Sequence, residues 1–184
     1  SPPTEVHLLN PKEAPSSEFL LGTDKLGRDV LSRIIKASQK SLAVAAVSIL
    51  FGAVVGTVLG LLAGYRGGQL DAILMRIVDA ALAFPAILIA LVFVATVGPG
   101  FWPVVIIMVL ILWAPFARLV RAQTMSWKER DFVALARVAG CSTPRIIGVH
   151  IFPNVVDSLV VLMTLQVGWV MTIEGTLSFL GAGI

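Results

Sequence analysis

Gly22-Thr-Asp-Lys-Leu-Gly27-Arg-Asp29 is the stretch of this 184-residue chain that comes nearest to a chemical motif. It approaches the loop G-x-x-x-x-G-K-[ST], in which backbone amides, a lysine and a hydroxyl hold phosphates and Mg²⁺. Here the lysine position is Arg28 and the hydroxyl position is Asp29, whose carboxylate repels phosphate, and no strand pattern precedes the loop. The chain therefore carries no nucleotide site of its own. His7 and His150 stand apart, no H-E-x-x-H occurs, and no serine and histidine are placed as a nucleophile and its base. Cys141 is the single cysteine, which excludes an internal disulfide and a multi-cysteine metal site. No catalytic residue, metal or cofactor is expected.

Ionisable residues inside apolar sequence mark function by default. Arg76 and Asp79, three apart, can pair with each other, while Asp157 and Glu174 lie near opposite ends of the last long apolar stretch. Structural pairing or snorkelling is the plainer use of these charges, and a proton relay the sharper one. Gly52, Gly56, Gly60 and Gly64 recur every fourth residue, with Ser48 one step earlier. On a helix that spacing leaves a groove without side chains, where a second backbone can approach closely in lipid. Ordinary helix packing and a moving gate surface both fit it.

The elements that must carry these residues are membrane spans. Hydrophobic residues make up 57% of the chain and charged ones 14%, against about a quarter charged in a soluble domain. The mean hydropathy is +0.92. A net charge of +3, dispersed along the chain, gives no basis for a nucleic-acid partner. Four stretches reach the roughly 20 residues that cross a bilayer: 42–64, 72–97, 102–120 and 154–174. They lack the polar residue every third or fourth position that a soluble core helix shows. The expected organisation is a segment 1–40 with an amphipathic lead-in, then a transmembrane domain 41–184 with a polar loop at 121–153. No signal peptide opens the chain, and both ends break off as if inside a longer protein, so an internal piece is expected.

Arginine and lysine placement orients the spans. Arg66 and Arg76 flank one turn, and Arg118, Arg121, Lys128, Arg130, Arg137 and Arg145 lie in 118–153, while 98–103 holds no basic residue. That puts 65–76 and 118–153 in the cytoplasm and 1–40 outside, although 1–40 carries six basic residues of its own. Within the loop, 127–139 reads as a short amphipathic helix with Phe132, Leu135, Ala136 and Ala139 on one face, ended by Gly140. Ser142 or Thr143 can cap a second helix with Pro144 in its first turn, and Pro153 opens the next span. Such a helix–turn–helix can dock into a partner's groove, or rest as a hairpin on lipid headgroups.

The stretch Phe132-Val133-Ala134-Leu135-Ala136-Arg137-Val-Ala-Gly140, followed by Arg145-Ile-Ile-Gly-Val-His150-Ile-Phe-Pro153, resembles the cytoplasmic EAA loop of ABC importer permeases. The family pattern is E-A-A, three residues, Gly, nine residues, then I-x-L-P. Gly140 and Pro153 sit at its spacing, while Ala134, Leu135, His150 and Phe152 replace the glutamate, first alanine, isoleucine and leucine. Leu21-Gly-Thr-Asp24-Lys-Leu-Gly27-Arg-Asp-Val-Leu-Ser-Arg33 is similar to the stretch before the second span of permeases for dipeptides, oligopeptides and nickel. Met75-Arg-Ile-Val-Asp79, Ala83-Phe-Pro85 and Glu174-Gly-Thr-Leu-Ser-Phe-Leu-Gly181 resemble the same branch.

The resemblance implies an all-α polytopic bundle of about six spans, of which this chain holds the second to fifth. It implies the inner membrane of a prokaryote, a heterodimer with a second permease subunit, two ATP-binding subunits and an extracytoplasmic substrate-binding protein. The ATPase-coupling residues would be Phe132, Val133, Ala134, Leu135, Ala136, Gly140, Arg145, His150 and Pro153, and the missing glutamate would cost one polar contact. The expected activity is ATP-driven import of di- or oligopeptides, with hydrolysis on the partner subunits. The alternatives are nickel import, an ion-coupled secondary transporter and a membrane-embedded enzyme.

Overall fold

A chain of unbroken apolar runs has few ways to satisfy its backbone in lipid, and the helix is the one that needs no second strand. The computed structural model describes residues 12–17, 19–181 and 183. Among them every regular element is helical, and the β pairing amounts to one bridge between Thr23 and Asp29. The α-helices run α1 (Val30–Arg66), α2 (Gly68–Ala83), α3 (Ala86–Val97), α4 (Phe101–Lys128), α5 (Asp131–Val138), α6 (Thr143–Arg145) and α7 (Phe152–Phe179). A π-helical turn, Ile146–Ile151, joins α6 to α7. Helices α1, α4 and the run Thr143–Phe179 are each long and apolar enough to cross a membrane. Helices α2 and α3 together make a fourth candidate, bent by 81°.

The chain divides into two compact units, Ser1–Ala43 and Val44–Ile184. In the first, the stretch that approached a phosphate loop is a turn organised by its own carboxylates. Asp24 accepts hydrogen bonds from the Leu26 amide at 2.8 Å, the Arg28 amide at 3.0 Å and the Arg28 Nε at 2.9 Å, and pairs with Arg33. Desolvation pushes its carboxyl up, but the hydrogen bonds from Arg28 and Leu26 outweigh it and hold the group down at about 2. Gly22 and Gly27 take φ of 72° and 71°, which the turn requires. Asp29 then starts α1 by accepting from the Leu31 amide and the Ser32 hydroxyl, and the hydroxyl contact leads in lowering its carboxyl. The helix therefore begins at Val30, well before the expected span at 42–64. His7 lies outside the described residues.

In the second unit α1 and α4 lie side by side and parallel. The four glycines of α1 face Leu112, Phe116, Val120 and Thr124 of α4 in that order. Two parallel helices need one return crossing between them, and α2 with α3 supplies it. The expected single straight span at 72–97 is broken at Phe84–Pro85. Proline has no N–H to donate and disfavours helical ψ in the residue before it, and Phe84 accordingly sits at φ −90°, ψ 139°. Buried residues from all sides form one core, among them Val44 and Ile49 of α1, Val94 of α3, Met108, Leu112 and Phe116 of α4, and Val155, Val170 and Leu177 of α7. Leu50, Val54, Ile106, Leu110, Val161 and Leu165 point outward, as lipid-facing positions do.

Three further expectations are corrected. The helix of the third span does not stop at Val120: α4 continues as a helix to Lys128, because 121–128 holds neither Gly nor Pro and Thr124 packs beneath Gly64. Residues 127–139 are not one helix, since the chain turns extended at Arg130 (φ −73°, ψ 146°) before α5 begins. Arg76 does not pair with Asp79. Asp79 pairs with Arg118 of α4 instead, and Arg76 is exposed.

Candidate functional site

The hairpin between α4 and α7 is built around one turn. Helix α5 is capped at Ala139, and Gly140 follows at φ +78°. The Gly140 amide donates to Arg137 C=O at 3.1 Å and the Cys141 amide to Ala136 C=O at 3.0 Å. These two bonds form a Schellman motif, which satisfies the last carbonyls of α5 and fixes the exit direction of the chain. Ser142 and Pro144 stand at the start of α6 as expected, but no Ser142 side-chain bond caps it. The π turn follows at once. Pro153 has no N–H and its ring would crowd a regular helix, and the widened turn upstream places the Phe152 amide on Ile147 C=O instead.

The hairpin has a fastened side and a free side. Val133, Ile146 and Ile151 are fully or almost fully buried and join the core of α4 and α7, with Ala136 and Cys141 packed against it. Leu135 is 68% and Val138 88% exposed, and Phe132 is 40% exposed. Ala136 thus belongs to the inward side with Val133, not to the face that carries Leu135 and Ala139, which a single helix over 127–139 had placed together. Phe132 stacks near Trp127 (6.2 Å) and His150 (6.5 Å), so one ring ties α4, α5 and the π turn. Arg130 lies 5.4 Å over the Trp127 ring. Tyr65, Lys128, Glu129, Ala134 and Arg137 line a cavity of about 450 Å³ beside the hairpin. Arg145 stands at the end of α6, Gly148 at the middle of the π turn and Pro153 at the start of α7.

The glycine seam runs from Gly52 to Gly64 along α1. A Cβ at Gly56 would lie 2.5 Å from the Phe116 Cβ and 2.5 Å from the Trp113 C=O, and one at Gly60 would lie 2.7 Å from the Ala117 C=O. Neither position has room for a methyl group.

Sequence reasoning missed the ionic fastening of α4. Arg121 grips Asp71 of α2 with two nitrogens on two oxygens, the Nη2 contact at 2.6 Å, and Arg118 pairs with Asp79. Lys128 Nζ donates to Gly64 C=O at 2.8 Å and so caps α1. The signal was present in the two acids of one apolar segment and the two arginines at the end of the next. Spacing along one helix favours Arg76 with Asp79, and it is the packing of α2 on α4 that gives Asp79 to Arg118. Glu174 is buried in α7 and Asp157 is exposed.

Long apolar helices, a glycine seam and a fastened hairpin at the basic end define a polytopic α-helical membrane protein. The chain belongs to the family of binding-protein-dependent transport system inner membrane components, whose pattern matches residues 56–184. It is a multi-pass inner-membrane protein. The glutathione transport system permease protein GsiD of Pectobacterium atrosepticum is 43% identical over 93% of this chain and 57% of its own length. A di/tripeptide transport system permease protein of Pseudomonas aeruginosa is 38% identical over 94% of this chain and 57% of its own. A putative peptide permease protein of Brucella abortus is 36% identical over 99% and 60%. The chain thus spans somewhat under two thirds of the relatives it matches.

Proposed function

We propose that this chain is the translocating core of a permease subunit in an ATP-driven importer of di- or oligopeptides. Separate ATP-binding subunits hydrolyse ATP, a second permease subunit completes the pathway, and an extracytoplasmic binding protein delivers the peptide. The observation that carries this reading is the hairpin 131–153. Its turn is closed by a Schellman motif, its inner side is fastened into the core of α4 and α7, and its outer side offers Leu135 and Val138 to a partner. A partner that moves the hairpin moves the spans with it. Residues 1–40 lie outside and 121–153 in the cytoplasm, and the names of the related permeases support the peptide class.

The test is uptake of a mixed pool of di- to pentapeptides into cells carrying the complete importer, read by mass spectrometry. Uptake should need the ATP-binding subunits and the binding protein, and should survive collapse of the ion gradients. Uptake that persists without the ATP-binding subunits would place the chain with ion-coupled transporters, and nickel accumulation without peptide uptake would overturn the substrate class.

A further inference from the structure

Two prolines interrupt the bundle at one place. Pro85 breaks α2 from α3 and gives the Ala81 carbonyl no helical donor. Pro115 lies inside α4 and gives the Ile111 carbonyl no helical donor. Phe84, Ala86, Ile111 and Pro115 line a single cavity of about 410 Å³, together with Gln166 and Trp169 of α7. The Gln166 carboxamide has no hydrogen-bond partner among the described residues, and its side chain is only half-buried.

Depth places this cavity well inside the bilayer. At 1.5 Å rise per residue, Pro85 lies about 18 Å from the far end of α3, and Pro115 about 21 Å along α4 from Phe101. Gln166 lies about 20 Å from the end of α7 at Phe179. Against a hydrocarbon core of about 30 Å, Pro115 and Gln166 fall in its interior, and Phe84 and Ala86 on either side of Pro85 line the same cavity. Backbone groups freed from their helices are tolerated at that depth only inside protein or beside water. An acyl chain offers the freed carbonyls and the carboxamide nothing, so lipid is a poor occupant.

We infer that this cavity is a station for the peptide backbone on the translocation path, an assignment that rests on the peptide-importer reading above. A carboxamide donates and accepts, as a peptide bond does, so Gln166 can pair with a backbone amide whatever the side chains are. Trp169 adds an apolar ring with one N–H donor. The carbonyls of Ala81 and Ile111, two residues that line this cavity, add acceptors for the N–H groups of a passing backbone. Contacts of this kind hold a passing peptide without selecting its sequence.

The test uses the complete importer in its native membrane and the same peptide pool. Gln166→Leu keeps the side-chain volume and suits the bilayer. It should assemble normally yet lower kcat/KM for uptake about tenfold, the effect of one lost hydrogen bond to the moving substrate. Trp169→Ala should act in the same direction, while Leu165→Ala, outside this cavity, should leave uptake unchanged. In a Cys141→Ser background, the thiol of Gln166→Cys should react with a water-soluble methanethiosulfonate reagent and be protected by peptide during turnover. If the wild-type importer takes up no peptide, the functional reading falls and this one with it. If wild type transports and both Gln166→Leu and Trp169→Ala match it, only the station is overturned. A thiol that reacts solely with a lipid-soluble maleimide would assign the cavity to lipid. One that cross-links to the second permease subunit would assign it to the subunit interface.

Discussion

Substituting Gly56 by alanine adds one methyl group at the tightest point of the α1–α4 seam. Its Cβ would lie 2.5 Å from both the Phe116 Cβ and the Trp113 C=O and 2.8 Å from the Ala117 amide nitrogen. Ordinary contact between such atoms is about 3.5–4.0 Å, so the helices must separate by roughly 1 Å locally. Two of the three opposing atoms are backbone and cannot rotate away. A gap of that size forfeits a quarter to a half of the dispersion attraction across the seam, and overpacking of this kind costs about 1–3 kcal/mol. Gly175 of α7 supplies the control. A Cβ there meets nothing within 4 Å, and replacing a helical glycine by alanine gains up to about 1 kcal/mol. The propensity gain is common to both variants, so unfolding of the purified full-length subunit by SDS titration in mixed micelles should separate Gly56→Ala from Gly175→Ala by about 1–3 kcal/mol, with Gly60→Ala beside Gly56→Ala. Equal stability of Gly56→Ala and Gly175→Ala would refute the close crossing.

The double variant Asp71→Asn/Arg121→Ala should destabilise the subunit by less than the sum of the two single variants. A double-mutant cycle reads the coupling, and a coupling energy of zero would deny the bidentate pair any structural role. Gly140→Val forces a β-branched residue to φ +78°, at a cost on the order of 1–3 kcal/mol. It should leave membrane insertion intact while reducing co-purification of the ATP-binding subunits, as should Leu135→Glu on the exposed face. Full retention by both variants would remove the hairpin as the docking element. Ala136→Glu is a poorer probe, because Ala136 packs inward. Asp24 has a folded-state pKa of about 2, below its usual value near 3.9. Its contribution is therefore complete above pH 4 and is lost as pH falls toward 2. Hydrogen exchange at the Leu26 and Arg28 amides should rise across that window in wild type and be raised already at pH 5 in Asp24→Asn. Thiols introduced at Ser16 and Ser126, with Cys141 replaced, should label from opposite membrane faces. Labelling of both by one impermeant external reagent would overturn the proposed sidedness.

Long apolar runs and four-residue glycine spacing were legible because each is a local pattern with one physical use in lipid. The turn at Gly140 was legible for the same reason: a glycine between an amphipathic segment and a Ser-Thr-Pro start leaves few conformations. Pairing between helices was not. Asp79 could reach Arg76 in sequence, and only the placement of α2 against α4 shows that Arg118 takes it. The inward turn of Ala136 depends on where α4 stops, at Lys128, which the polar character of 121–128 concealed. Pro85 advertised a break, but a single proline can merely kink a span, and the 81° bend needs the extended Phe84 as well.

On the proposed reading, the bundle needs parts that move as one body and parts that yield. The α1–α4 seam is of the first kind. Backbone contact at every fourth residue leaves no play, and Lys128 on Gly64 C=O together with Arg121 on Asp71 fastens the basic ends of α1, α2 and α4. The yielding parts are the hydrogen-bond defects: the open backbone at Phe84–Pro85, Pro115 within α4, and the π turn at Ile146–Ile151. Two of these border the cavity with Gln166, and the third is the base of the hairpin. A displacement of the hairpin enters through Val133, Ile146 and Ile151, which share their core with α4 and α7. It cannot be absorbed in the glycine seam, so it is taken up where the ladders are already interrupted, which is where the cavity lies. Packed helices switch between discrete arrangements rather than deforming smoothly. A hinge at each defect lets one push at the hairpin reshape the cavity while the fastened seam stays unchanged.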